Sequence, residues 1–154
     1  MANAYKKADG SKVYNRNIEI SKPSALVHDG AYVTQTVQKT FVANGECIDC
    51  NIFVANRRWK VVGVSEVHTT AGSDGGTVSI DVKKCTGTTV PASGTSVLSA
   101  AFNAKGTAQT VQSGTLSATD SALVLEPGER LGVDFSGTLT ALAGVRAWIE
   151  QRLA

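Results

Sequence analysis

The feature that most constrains this chain is the alternation in residues 77–84. Val78, Ile80 and Val82 fall on one side while Thr77, Ser79, Asp81 and Lys83 fall on the other, which is the period of a strand with one buried face. Such a strand needs neighbours, and the chain supplies them. Its 18 Val, 6 Ile and 16 Thr make 40 β-branched residues against 9 Leu, a content that suits pleated, half-buried surfaces. From residue 40 onward short apolar segments are separated by turn chemistry at the spacing of an all-β sandwich or barrel. Strands are expected at 41–43, 52–55, 59–70, 77–84, 96–101, 107–112, 122–125 and 130–135.

Two of these segments carry further information. In 59–70, Trp59, Val61 and Val67 share one parity and Val62 and Val64 the other. Either both faces are covered there or Gly63 sits in a bulge. The link 71–76, Ala-Gly-Ser-Asp-Gly-Gly, tolerates positive φ and predicts a hairpin. Glu126-Pro127-Gly128-Glu129 predicts a tight turn with Pro127 presetting φ and Gly128 accepting a positive one, and a hairpin around it. Residues 139–153 fit a strand through Val145, Ala147, Ile149 and Leu153, and also a helical spacing through Leu142, Val145, Ile149 and Leu153; the strand is the favoured reading.

The 154 residues make one domain, long enough to bury roughly two thirds of the unfolded surface without a metal or disulfide. Residues 1–38 read as an extended N-terminal arm and 39–154 as the sandwich. The arm holds apolar pairs broken by Gly10, Pro23 and Gly30, and five basic residues (Lys6, Lys7, Lys12, Arg16, Lys22) against three acidic ones (Asp9, Glu19, Asp29). Its apolar pairs suggest packing on the chain's own body or on a neighbouring subunit. Lys6, Lys7, Lys12, Tyr14, Arg16, Ile18 and Ile20 are its candidate interface residues. Arg57 and Arg58, just before Trp59, are expected at a sheet edge, either discouraging edge pairing or forming part of a polar interface rim. The formal charge of +2 is small and unevenly placed, and a neutral body with a mildly basic arm argues against a dedicated nucleic-acid binder; no apolar run is long enough to span a membrane. The first residues lack the apolar core of a secretory signal, which makes the cytoplasm of the producing cell the expected place of synthesis.

Candidate chemistry is sparse. Cys47-Ile48-Asp49-Cys50 is a CxxC, but only Cys85, His28 and His68 remain to complete a zinc site. A redox CxxC is expected at a helix start, and this one lies between two strand-like segments. No metal site and no cofactor is expected. Three cysteines cannot all pair within one chain, so reduced thiols are expected. Glu66 and His68 share a strand face and are expected as a polar pair on the surface. Phosphate-loop, dinucleotide, zinc-protease and nucleophile-elbow motifs are absent from the sequence, and no catalytic residue is assigned. Trp59, beginning a core strand, is expected to be buried. Trp148 or a Tyr is the candidate platform if the fold binds sugar.

The stretches 59–76 (WKVVGVSEVHTTAGSDGG), 84–88 (KCTGT) and 125–139 (LEPGERLGVDFSGTL) resemble small structural proteins of tailed bacteriophages, the jelly-roll capsid decoration or cement proteins. The resemblance covers roughly residues 57–150 and leaves the arm outside. It implies an antiparallel β-sandwich of jelly-roll type that performs no chemistry. It further implies a place on the outer surface of the virion, the major capsid protein as partner, and self-association as a homo-oligomer, with a trimer ahead of a dimer. A carbohydrate-binding or adaptor module of a phage fibre or tail is the alternative.

Overall fold

The computed structural model describes residues 33–154 and, as backbone, four short strands before them. Those are β1 (Ala4–Lys6) paired with β2 (Lys12–Tyr14), and β3 (Val27–His28) paired with β4 (Ala31–Tyr32). The body contains β5 (Thr34–Phe41), β6 (Cys50–Val54), β7 (Trp59–Val67), β8 (Ser79–Cys85), β9 (Thr95–Ser96), β10 (Phe102–Asn103), β11 (Gln112–Ser113), β12 (Val124–Leu125), β13 (Arg130–Ser136) and β14 (Val145–Leu153). A single helical turn, α1 (Asp120–Leu123), precedes β12.

These strands form two antiparallel sheets packed as a β-sandwich. In the first the order is β5, β14, β7, with β11 and β12 sharing the far edge of β7. In the second it is β6, β13, β8, with β9 and β10 sharing the far edge of β8. The expected alternation accounts for the second sheet: Ile80 and Val82 pair with Phe135 and Val133 and face inward. Across the sandwich the Phe41 and Phe135 rings meet edge-on, with centroids 4.9 Å apart. Val61, Val64, Val145, Ala147 and Ile149 complete the first sheet's contribution to the core. Each Val, Ile or Phe side chain fully buried there is worth about 1.5–3 kcal/mol.

The C-terminal segment is a strand, β14, the central member of the first sheet. Gly63 does sit in a bulge: β14 pairs Glu150 with Gly63 but Gln151 with Val61, leaving Val62 as the extra residue. The bulge reverses the parity of everything after it. Trp59 and Val61 point inward before it, Val64, Glu66 and His68 after it.

Several expectations change. The link 71–76 is not a hairpin, because β7 and β8 lie in different sheets and it crosses between them. The turn at 126–129 is present, with Gly128 at φ +89 and Glu129 N donating to Glu126 O at 3.0 Å, yet β12 and β13 also lie in different sheets. Residues 34–38, assigned to the arm, pair with β14 as part of β5. The segment 107–112 is mostly loop, reaching β7 only through Gln112. Only Ser96 of 96–101 is in a strand, and Ala122 and Leu123 are in α1.

Candidate functional site

The polar pair noted in the sequence lies inside the protein, not on its surface, because the Val62 bulge turns it inward. Glu66 and His68 are fully buried. His68 Nδ1 is 3.3 Å from both carboxylate oxygens and Nε2 is 3.1 Å from Gly106 O. Gln112 Nε2 donates to Glu66 Oε1 and, at 3.0 Å, to Asn103 O. Burial pushes the Glu66 carboxyl up, opposed by the imidazole and by the Gln112 amide. Both ring nitrogens face acceptors, so Nε2 carries a proton and a second lies between Nδ1 and the carboxylate. The cluster ties the loop between β10 and β11 onto β7, and its sealing from solvent leaves no path for a substrate. It acts as an internal clamp.

The outer face of the second sheet carries Lys83 between two carboxylates, 3.2 Å from Asp81 and 3.6 Å from Asp134. Ser96 Oγ donates to Asp81 at 2.8 Å, and Asp49 accepts the Phe135 N–H at 2.8 Å. Burial, then the nearby Asp49 charge, raises Asp134 above the ordinary carboxylate range. Among the described residues no group of three or more His, Cys, Asp or Glu is placed to hold a metal ion. The CxxC supplies no paired site: Cys47 and Cys85 are buried, Cys50 is half-buried, and all three are free. Burial pushes each thiol up, away from the reactive thiolate.

What remains exposed is of another kind. At the Phe41 end of the sandwich a concavity of about 380 Å3 is lined by Lys39, Phe41, Glu46, Ile48 and Cys50. Beside it Val42 is 69% exposed, and Ile48 itself 63%. Apolar side chains among charged ones in a shallow hollow suit contact with another protein.

The sequence-predicted interface residues are divided between places. Lys6, Lys12 and Tyr14 lie in the β1–β2 hairpin, whose backbone register pairs Lys6 with Lys12 and Ala4 with Tyr14. Lys7, Arg16, Ile18 and Ile20 lie outside the described residues. Arg57 and Arg58 are exposed, but in the turn linking β6 to β7 and not along a sheet edge. Arg58 bonds Glu126 at 2.9 Å, and its carbonyl accepts the Ala154 N–H at 3.3 Å. This is the end where Val33 meets Leu153, so the arginines stand opposite the Phe41 concavity.

Trp59 is buried, its indole N–H donating to Asn56 at 3.3 Å. Trp148 is half-buried on the outer face of β14, between Gln38 of β5 and Ser65 of β7. Sequence reasoning missed the Val42–Ile48 end because both residues read there as ordinary strand or loop positions. Comparison with protein-family models, curated proteins and solved structures found no match to this chain.

Proposed function

We propose that this protein is a virion structural component, a jelly-roll sandwich that binds the outer surface of a tailed-phage head and cements neighbouring major capsid subunits. The observation that carries the reading is the order of strands. Taking β9 with β10 as one strand and β11 with β12 as another, the body has eight, in rows β5, β14, β7, β11/β12 and β6, β13, β8, β9/β10. Chain connections repeatedly cross between the two sheets, the arrangement of a double Greek key, and this supports the jelly-roll type, a fold of capsid and lectin domains. A rigid sandwich with exposed apolar residues at one end and a hairpin-bearing arm fits attachment to a protein shell better than turnover of a substrate.

Cementing favours self-association, with a trimer ahead of a dimer. An oligomer touching several capsid subunits converts its later contacts into intramolecular ones, so individually weak contacts suffice. Cosedimentation with undecorated heads tests the proposal: saturable binding at a fixed ratio to capsid protein supports it, and no pelleting contradicts it.

One observation favours the alternative, a carbohydrate-binding module of a fibre or tail. Trp148 presents its indole on an outer face among Gln38, Ser65 and Arg146, the amphipathic surroundings a sugar ring prefers. A glycan screen in which Trp148→Ala abolishes binding would move the assignment there.

A further inference from the structure

Of the chain's seven asparagines, Asn44 alone is followed by glycine. It opens a single 3-10 turn, Asn44–Glu46, between β5 and β6, in which Asn44 and Gly45 are both exposed. Glu46 N–H donating to Ala43 O at 3.0 Å and Cys47 N–H to Asn44 O at 3.1 Å hold the turn. No described group accepts the Gly45 N–H, and a Cβ added to Gly45 would meet nothing within 4 Å. The backbone nitrogen that follows Asn44 is therefore unbonded, unshielded and open to solvent.

The Asn44 side chain makes a tie across the chain. Its Nδ2 donates to Leu139 O and, at 3.1 Å, to Leu142 O, which occupies both protons of the amide. These bonds join the 44–46 turn to the 139–142 turn, where Ala141 holds φ +65, a conformation that a residue with a Cβ occupies at a cost. Both partners are carbonyl oxygens, so the tie requires a donor at position 44. Gly45 and Glu46 also line the Phe41 concavity, with the exposed Val42 beside them. The tie thus fixes part of the rim of that hollow.

We infer that Asn44 is a site of spontaneous deamidation, and that the reaction irreversibly unlatches the two turns. The Gly45 nitrogen gives its proton to hydroxide and attacks Asn44 Cγ. The Cγ–Nδ2 bond then breaks, and the amide nitrogen takes a proton from water and leaves as ammonia. Water opens the resulting five-membered imide, which leaves a carboxylate on an aspartate or isoaspartate at position 44. Glycine matters because a Cβ on the attacking residue would crowd the approach. The two hydrogen bonds hold the amide while the turn is closed, and local opening of so short and exposed a turn frees it. Once formed, the carboxylate has no proton for Leu139 O or Leu142 O, so the tie cannot be remade. The reaction needs only water and hydroxide and stands apart from the attachment reading.

Peptide mapping by mass spectrometry of the full-length protein, incubated folded and in urea at mildly alkaline pH, tests the site. In the folded protein Asn44 should convert before every other asparagine, faster as pH rises and more slowly than in urea. Gly45→Ala, at a position outside the left-handed region and with open space for the methyl group, should lose the reaction over the same interval. Asn44→Asp, which carries the product's charge, should lower the unfolding midpoint by at least about 2 °C through the lost bonds. Persistence of Asn44 in the folded protein after full conversion in urea would overturn the site. Equal conversion in Gly45→Ala would overturn attack by the Gly45 nitrogen. A midpoint of Asn44→Asp equal to that of the native chain would overturn the latch.

Discussion

Glu66 and His68 stand two residues apart on β7, both sealed from solvent, with the imidazole Nδ1 3.3 Å from the carboxylate. Their charges or their shared proton satisfy each other, and neither reaches a surface. Removing one leaves the other without its partner. His68→Ala should therefore destabilise the fold by about 3–5 kcal/mol, measured by urea unfolding. In Glu66→Gln/His68→Ala the buried charge is gone, and the loss should be smaller than the sum of the two single changes. Equal stability of His68→Ala and the native chain would contradict the clamp.

How much of this was legible in the sequence follows from the same strand. The alternation of Val78, Ile80 and Val82 and of Leu131, Val133 and Phe135 shows directly which faces are buried. The mixed parity around Gly63 left open a bulge or two covered faces, and the inward turn of Glu66 and His68 requires knowing that the bulge is there. Turn chemistry at 71–76 and 126–129 marks where the chain reverses, and Gly-rich links serve equally for a hairpin or a crossover between sheets. The partners of β7 and β13 are set by packing across the sandwich, which no local pattern encodes. The proposed contact surface was least legible, since Val42 and Ile48 are distinguished only by their exposure.

Asp134 gives a pH dependence with a definite sign. Burial and the nearby Asp49 and Asp81 charges hold its folded value above that of the unfolded chain, which is about 3.9. Between the two values the folded state binds more protons than the unfolded one, so this group's contribution is present below the window and lost as pH rises through it. The stability of the native protein relative to Asp134→Asn should accordingly fall on going from pH 4 to pH 7. A difference that grows with pH would contradict the burial argument.

Two glycines with nearly the same φ should respond differently to alanine. Gly137, at φ +91, would place a Cβ 1.9 Å from Thr77 O, whereas Gly128, at φ +89, has nothing within 4 Å. Gly128→Ala should cost only the conformational term of about 1–2 kcal/mol. Gly137→Ala must also displace the backbone and should cost clearly more. Thermal unfolding of the two variants side by side checks the order.

A chain lacking residues 2–16 loses the paired strands β1 and β2 together with the candidate interface residues Lys6, Lys7, Lys12, Tyr14 and Arg16. Its unfolding midpoint should match that of the full chain, while its affinity for heads should fall at least about tenfold, or ~1.4 kcal/mol. Unchanged affinity would remove the hairpin from the attachment surface.

The central claim is attachment to the outside of a phage head, and imaging heads before and after addition of the purified protein by electron cryomicroscopy tests it most directly. New sandwich-sized density is expected on the outer surface, repeated at junctions between capsid subunits. Identical heads in both samples, or density confined to the tail, would contradict it.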